Sequence, residues 1–310
     1  MIRKPMDVLE LYPVRKNKKQ KQAFREDMEV YAKELGYPYS EEKGSFGSRS
    51  IVLGNPQKAK YLVTAHYDTC ARMPFPNLIT PCNFWTFLGY QLFTVSYMFA
   101  FVFVAALVTM LLTRNEDISF YIGYAALWVF LLMIMVGPAN KHNANDNTSG
   151  VVTALEIARM LPEAYRENVC FVLFDLEEAG LIGSASYARA HKNSVKKQLV
   201  LNLDCVGDGD EILLFPTGKL KKDFSGMDAL DRICGSYGSK ILRLQRKGFS
   251  VYPSDQGNFP YGVGIAAFHS SCFGLYLSRI HTPKDTVLEE ENVIILRDRL
   301  ICLITGDVVE

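Results

Sequence analysis

The chain has 310 residues, 49% of them hydrophobic, a formal net charge of +1 and a pI near 7.6. That length allows one large domain or two modest ones with an ample core, and near-neutrality gives no support to the broad basic face that a nucleic-acid binder needs. The seven cysteines are odd in number and form no CxxC pair, which argues against a disulfide framework and a cysteine-based structural zinc and fits a reducing compartment.

At the amino end, MIRKPMDVLELYPVRKNKKQKQ lacks the apolar core of a secretory signal, so the folded part is expected in the cytoplasm. The cluster from Arg15 to Lys21 (RKNKKQK) reads either as a face for anionic lipid or as a solvated run leading into the first helix. Over residues 19–35, Phe24, Met28 and Tyr31 recur at helical spacing and Gly36 ends the run, the pattern of an amphipathic helix. Strands are expected near 50–53 and 61–65. From Phe84 to Leu112 there is no charged residue, and after TRNED a second uncharged stretch runs from Ile118 to Val136. Each reaches or approaches the roughly 20 residues that cross a hydrocarbon core. The pair reads as a transmembrane hairpin, residues 83–137, inserted into a domain made of 1–82 and 138–310. The short connecting loop holds one arginine beside two acids, with Arg72 and Lys141 on the flanks, so the charge bias that sets orientation is small. There is no GxxxG; Gly89 and Gly123 are the small contact points through which a hairpin could pair with its own copy.

Beyond the hairpin the pattern alternates: helix over 149–160, strand 169–174, helix 182–190, strands 199–203 and 212–215, helix 228–237, strand 265–268 and a last helix over 291–305. Such alternation argues for a layered α/β domain around a mostly parallel sheet.

Six segments set polar residues of ligand type at the ends of apolar strands: YLVTAHYDT (His66, Asp68), NANDNTSG (Asp146), FVLFDLEEAGLIGS (Glu177, Glu178), LVLNLDCVG (Asp204), YPSDQGNF (Asp255) and SRIHTPKDT (His281). Singly, each is an ordinary strand-end, turn or cap residue. Together they supply the imidazole and carboxylate ligands suited to zinc, and a carboxylate can bridge two ions. A cation there also compensates the adjacent charges of Glu177 and Glu178.

In this order the motifs AHYDT, NDNTSG, DLEEAGLIGS, NLDCVG and IHTPKDT resemble those of the co-catalytic di-zinc aminopeptidases, the family that also holds glutamate carboxypeptidases and glutaminyl cyclases. The resemblance covers the chain except its amino-terminal arm and the hairpin. It implies an α/β/α sandwich with a mixed, mostly parallel sheet, and two zinc ions per chain bridged by Asp146. One ion would take Asp146, Glu178 and His281, the other Asp146, His66 and Asp204. Asp68 would fix the tautomer of His66, and Glu177 would stay free of metal as the general base. The resemblance also implies a non-prolyl cis peptide between Asp146 and Asn147. Two positions depart from it: Gln256 stands where the family carries a histidine near the substrate, and Asn145 where an acid is frequent.

The expectation is a multi-pass cell-membrane enzyme with a cytoplasmic catalytic domain, taking peptides from their amino end, with the bilayer and a second copy as possible partners. Glu177 and Asp255 are the acids weighed for the substrate amine. Because the hairpin lies between His66 and Asp146, it should leave and re-enter the domain beside the site. A single-zinc aminoacyl cyclotransferase of the glutaminyl cyclase kind, a carboxypeptidase or endopeptidase, and a catalytically silent membrane receptor stay open as alternatives.

Overall fold

The structure, a computed structural model, describes residues 1–307. A one-turn helix, α1 (Asp7–Leu11), precedes α2 (Lys18–Glu34). Helix α2 starts where it does because Asn17 accepts the Gln20 backbone N–H while the Gln20 side chain accepts that of Asn17, satisfying two orphan donors at once. Its Phe24, Met28 and Tyr31 are buried, as their spacing requires.

Strands β1 (Tyr39–Lys43), β2 (Arg49–Leu53) and β3 (Tyr61–His66) lead to two long helices, α3 (Phe84–Thr113) and α4 (Glu116–Val136). Then come α5 (Gly150–Met160), β4 (Val169–Phe174), α6 (Ile182–Ala190), β5 (Leu199–Leu203), β6 (Glu211–Pro216), α7 (Phe224–Arg232), β7 (Gly235–Tyr237), β8 (Lys240–Leu244), β9 (Gly262–Ser271), β10 (Gly274–Tyr276) and α8 (Glu290–Thr305).

One sheet joins the strands in the order β1-β2-β4-β3-β5-β9-β6-β8-β7, with β10 paired to β9. The centre, β4-β3-β5-β9, is parallel throughout, and antiparallel pairings close both flanks. Strand β4 is buried at all six positions rather than alternately, because helices cover both faces. Val169, Phe171 and Leu173 pack with Phe24, Leu155 and Leu300 from α2, α5 and α8; Cys170, Val172 and Phe174 pack on the opposite side with Tyr187 of α6. The result is the three-layer α/β/α arrangement around a mixed sheet.

Three sequence expectations need correction. The helix expected over 228–237 lies at 224–232: Asp223 accepts the backbone N–H groups of Ser225 and Gly226 and so fixes an earlier start. Beyond it, Gly238 at φ 62 and Ser239 turn β7 into β8, a two-residue hairpin loop. The basic cluster is only partly an open face, with Lys18 and Lys19 exposed between two buried ends. Arg15 is fully buried and Lys21 nearly so, each bonded inside the domain. Gly123 meets Ala106 and Val102 within the hairpin, so that contact point is used internally, whereas Gly89 faces open space.

The two long helices are each long and apolar enough to cross a membrane. Asn83 and Asn115 cap their starts, and Phe130 of α4 packs against Tyr97 and Phe101 of α3. Outward, they expose large apolar side chains including Phe99, Phe103, Leu112, Phe120 and Trp128.

Candidate metal centre

The parallel centre of the sheet puts the carboxyl ends of β3, β4 and β5 side by side, the location where open α/β sheets collect ligands. His66, the last residue of β3, pairs with Phe174, so the loop carrying Glu177 and Glu178 begins beside it. Asp204 follows β5 directly, and Asp146 sits in the turn Ala144–Ser149 that opens α5. His281 arrives from the loop between β10 and α8. Two glycines let these segments close up: a Cβ on Gly150 would stand 2.3 Å from the Leu203 carbonyl, and one on Gly183 2.1 Å from that of Asp175. Leu176, Cys205 and His281 hold left-handed backbone at φ 57, 58 and 59, a concentration of non-glycine residues in that region typical of functional sites. The Asp146–Asn147 peptide bond is cis.

All seven site residues expected from sequence come together. The two carboxylate oxygens of Asp146 face different histidines: Oδ1 lies 3.2 Å from His66 Nε2 and Oδ2 lies 2.9 Å from His281 Nε2. Glu178 Oε2 is 3.6 Å from His281 Nε2, and Asp204 Oδ1 is 3.7 Å from His66 Nε2. Asp68 lies on the other edge of His66, its Oδ1 3.5 Å from Nδ1, and also accepts the backbone N–H groups of Glu177 (3.1 Å) and Glu178 (3.4 Å). Glu177 Oε2 is 4.0 Å from His66 Nε2. Donor atoms of Asp146, Glu178, His281 and Cys70 lie within 4.8 Å of one another, and so do those of His66, Glu177 and Asp204. Glu177 therefore has reach to a cation as well as to a proton. The thiol of Cys70, unremarked in the sequence, lies 3.4 Å from the side-chain oxygen Oδ1 of Asn143.

The donor set fits divalent cations. Glu178 Oε1 is buried without a hydrogen-bond partner, and the Nε2 atoms of His66 and His281 both face carboxylate oxygens. Carboxylates at this density need a positive charge among them. Burial raises the pKa of Glu178 to about 8, with the Asp146 charge adding to it, and pushes Glu177 well above the ordinary carboxylate range. For His281 burial opposes protonation, but Glu178 and Asp146 outweigh it and lift the pKa to about 9. Without metal, protons do the neutralising.

Supporting groups surround this set. Asp285, within the IHTPKDT motif but given no role from sequence, accepts the backbone N–H groups of Asn145 (2.7 Å) and Asp146 (3.1 Å). Asn145 Oδ1 in turn accepts the Gly207 N–H, so the amide at that position serves the loop packing. Arg15 donates to the carbonyls of Tyr67 and Tyr12 and to Thr148 Oγ1, bracing the backbone beside both Asp68 and Asp146. Lys21 bonds Asp175, two residues before Glu177, at 2.5 Å. No periodic signal marked these, since each looked like part of a polar run.

Beside the carboxylates opens a cavity of about 420 Å³, lined by His66, Asp146, Glu177, Glu178, Asp204 and His281 on one side. Its other walls include Ile79, Tyr252 and Ile280 of the domain and Phe87, Tyr90, Gln91 and Met135 of the long helices. The hairpin thus leaves and re-enters the domain at the cavity, as its place between His66 and Asp146 implies. Gln256 lies elsewhere: it is buried, accepting from Asn202 and donating to the Tyr252 carbonyl, and lines no part of the cavity. Asp255 is also outside the lining; both its oxygens are buried without a partner and burial raises its pKa to about 7. Of the two acids weighed for a substrate amine, only Glu177 borders the open space.

The fold and the gathered side chains define an α/β/α protein whose strand ends carry a metal-type ligand set. Residues 133–295, more than half of the chain, match Peptidase family M28, and the chain belongs to that family. The aminopeptidase YwaD of Bacillus subtilis (strain 168) is 26% identical over 161 residues, covering 46% of this chain and 32% of YwaD. A probable zinc metalloprotease of Pyricularia oryzae is 40% identical over 78 residues, 24% of this chain and 15% of that protein. The chain spans about a third or less of the length of these relatives. In fold it is similar to the glutaminyl cyclase of Tannerella forsythia, with a TM-score of 0.61 at 15% identity over 98% of this chain and 97% of that one.

Proposed function

We propose that the chain is a membrane-tethered zinc aminopeptidase, with residues 83–137 as a transmembrane hairpin and residues 1–82 and 138–310 as the peptidase domain. The observation that carries the metal reading is Asp146, buried with one oxygen toward the Nε2 of each of two histidines, with Asp204 and Glu178 oxygens beside the same nitrogens. Asp146, Glu178 and His281 would hold one zinc, and Asp146, His66 and Asp204 a second. Membership of a peptidase family and the names of YwaD and the Pyricularia protein support peptide hydrolysis at zinc.

Zinc, when bound, polarises a carbonyl oxygen and lowers the pKa of water. Glu177 borders the cavity and takes the proton of the attacking water. As oxygen adds to the scissile carbonyl carbon and the C–N bond breaks, Glu177 returns that proton to the leaving amine nitrogen. Asp68 orients His66 and, through the N–H groups of Glu177 and Glu178, fixes the turn that aims both carboxylates. Ile79, Tyr252 and Ile280 keep the far side of the cavity apolar.

The apolar outer surfaces of α3 and α4 support membrane insertion. At the hairpin base, Arg72 donates its backbone N–H to Pro138 and shares a groove with Lys284, while Lys141 lies three residues beyond Pro138. The connecting loop at the far end carries Arg114 with Glu116 and Asp117. Arg72, Lys141 and Lys284 at the base against Arg114 with two acids at the far end give a small bias that favours a cytoplasmic domain. Pairing of hairpins between copies would have to use Gly89 rather than Gly123.

The test is Glu177→Gln. It is expected to keep its zinc and lose about 10²- to 10⁴-fold in kcat on aminoacyl anilides. Full turnover with zinc content confirmed removes Glu177 as the base, and a single ion with cyclisation of glutaminyl peptides points to the cyclotransferase chemistry instead.

A further inference from the structure

The contacts within the hairpin fix its register. Phe130 packs on Tyr97 and Phe101, Gly123 lies against Ala106 and Val102, and Ser119 Oγ donates to the Ala106 carbonyl. Continued antiparallel, this register sets Val136, the end of α4, level with about residue 92 of α3. Helix α3 therefore outreaches its partner by about 12 Å, or two turns, at the domain end. This agrees with its length: 30 residues make a rod of about 45 Å, against a hydrocarbon core of about 30 Å.

The extra turns are anchored to the domain. Phe84 and Phe87 pack on Phe249 at 5.3 and 5.5 Å between ring centroids, Thr86 Oγ1 donates to the Phe273 carbonyl, and Tyr90 Oη donates to the Pro76 carbonyl. Phe87, Tyr90 and Gln91 then face the same cavity as Asp146, Glu177 and Glu178. No lysine or arginine is among its described lining residues, and every acid in it belongs to the metal-type set.

Resting on the aminopeptidase reading, we infer that the first two turns of α3 form a wall of the substrate pocket and select peptides with an apolar side chain next to the scissile bond. An acidic side chain there finds no lysine or arginine to pair with and loses its hydration against the aromatic wall. An apolar one is covered by Phe87, Ile79 and Ile280. The hairpin is then part of the specificity site as well as a tether, and apolar peptide ends emerging at a bilayer surface are the substrate class that fits.

The experiment compares leucine hydroxamate with glutamate hydroxamate on zinc-loaded full-length protein in nanodiscs, measuring both affinities by calorimetry alongside hydrolysis of leucyl and glutamyl anilides. The leucine probe is expected to bind on the order of ten- to a hundredfold more tightly, the worth of burying one leucine side chain. Phe87→Ala should lose most of that ratio and Phe87→Leu recover it, at unchanged zinc content. Gln91→Arg, on an exposed helix face, should improve the glutamate probe several-fold. Equal affinities in the wild type, or a ratio that neither position moves, overturn the inference. Absent turnover with the ratio intact sinks the peptidase reading alone; turnover without discrimination sinks the pocket wall alone.

Discussion

Lys21→Met separates a buried lysine from the solvated one that its sequence neighbourhood suggests. Lys21 Nζ lies 2.5 Å from Asp175 Oδ1, with side-chain exposures of 8% and 5%. Methionine fills the space of the stem but leaves Asp175 buried without its cation. Removing one partner of such a pair costs about 3–5 kcal/mol. Asp175 keeps the backbone N–H groups of Arg49 (3.1 Å) and Leu176 (2.9 Å), which places the loss at the lower end, about 3 kcal/mol. For a chain of this size that is a fall in Tm of roughly 5–10 °C. Adding Asp175→Asn to Lys21→Met should recover most of it, since an amide carries no uncompensated charge. Because Glu177 is two residues beyond Asp175, kcat should fall in the single variant and partly return in the double. Thermal unfolding in nanodiscs reads the first effect and anilide hydrolysis the second. A single-variant change below about 0.5 kcal/mol, the usual result at a solvated surface position, would refute the reasoning.

Arg15→Met removes the donors to the Tyr67 and Tyr12 carbonyls and Thr148 Oγ1, and is expected to cost about 3 kcal/mol and weaken zinc binding. Denaturation with and without the metal checks it. Asp285→Asn sets an amide against the N–H groups of Asn145 and Asp146, so zinc affinity should fall about 10- to 100-fold in a competition assay with a chelating dye. Zinc needs neutral imidazole and ionised carboxylate, whereas the metal-free site has His281 raised to about 9 and Glu178 to about 8. Both groups therefore hold protons at pH 7, loading should release them, and affinity should rise with pH until about 9. Calorimetry in buffers of different ionisation enthalpy measures the count, and release of no proton at pH 7 contradicts the arrangement.

Periodicity made the amphipathic α2, the apolar hairpin and the alternating helices and strands readable before any coordinates. Each is encoded by local spacing. Strands β1, β8 and β10 carry no such spacing, because their stretches are polar, short or glycine-broken and depend on pairing with neighbours, and β7 falls where the spacing suggests the end of a helix. The start of α7 turned on one cap, Asp223, that reads equally as a loop residue. For the site, strand-end positions flagged His66, Asp68, Asp146, Glu177, Glu178, Asp204 and His281, since ligand-type side chains stand out against apolar runs. Arg15, Lys21 and Asp285 did not stand out, because a charge in a polar segment looks the same in sequence whether solvent or a buried partner answers it. Gln256 drew notice by its departure from the family pattern, yet it faces Asn202 and Tyr252 rather than the cavity. The meeting of hairpin and cavity was foreseeable from chain order alone; which helical turns form the wall needed the register of α3 against α4.

Zinc content per chain is the most direct test of the paired metal centre. Elemental analysis of purified, zinc-loaded and dialysed protein is expected to give two ions in the wild type, one in His281→Ala and nearly none in Asp146→Asn, with all three chains folded by circular dichroism. A folded wild type that binds no zinc, or Asp146→Asn retaining both ions, would contradict it.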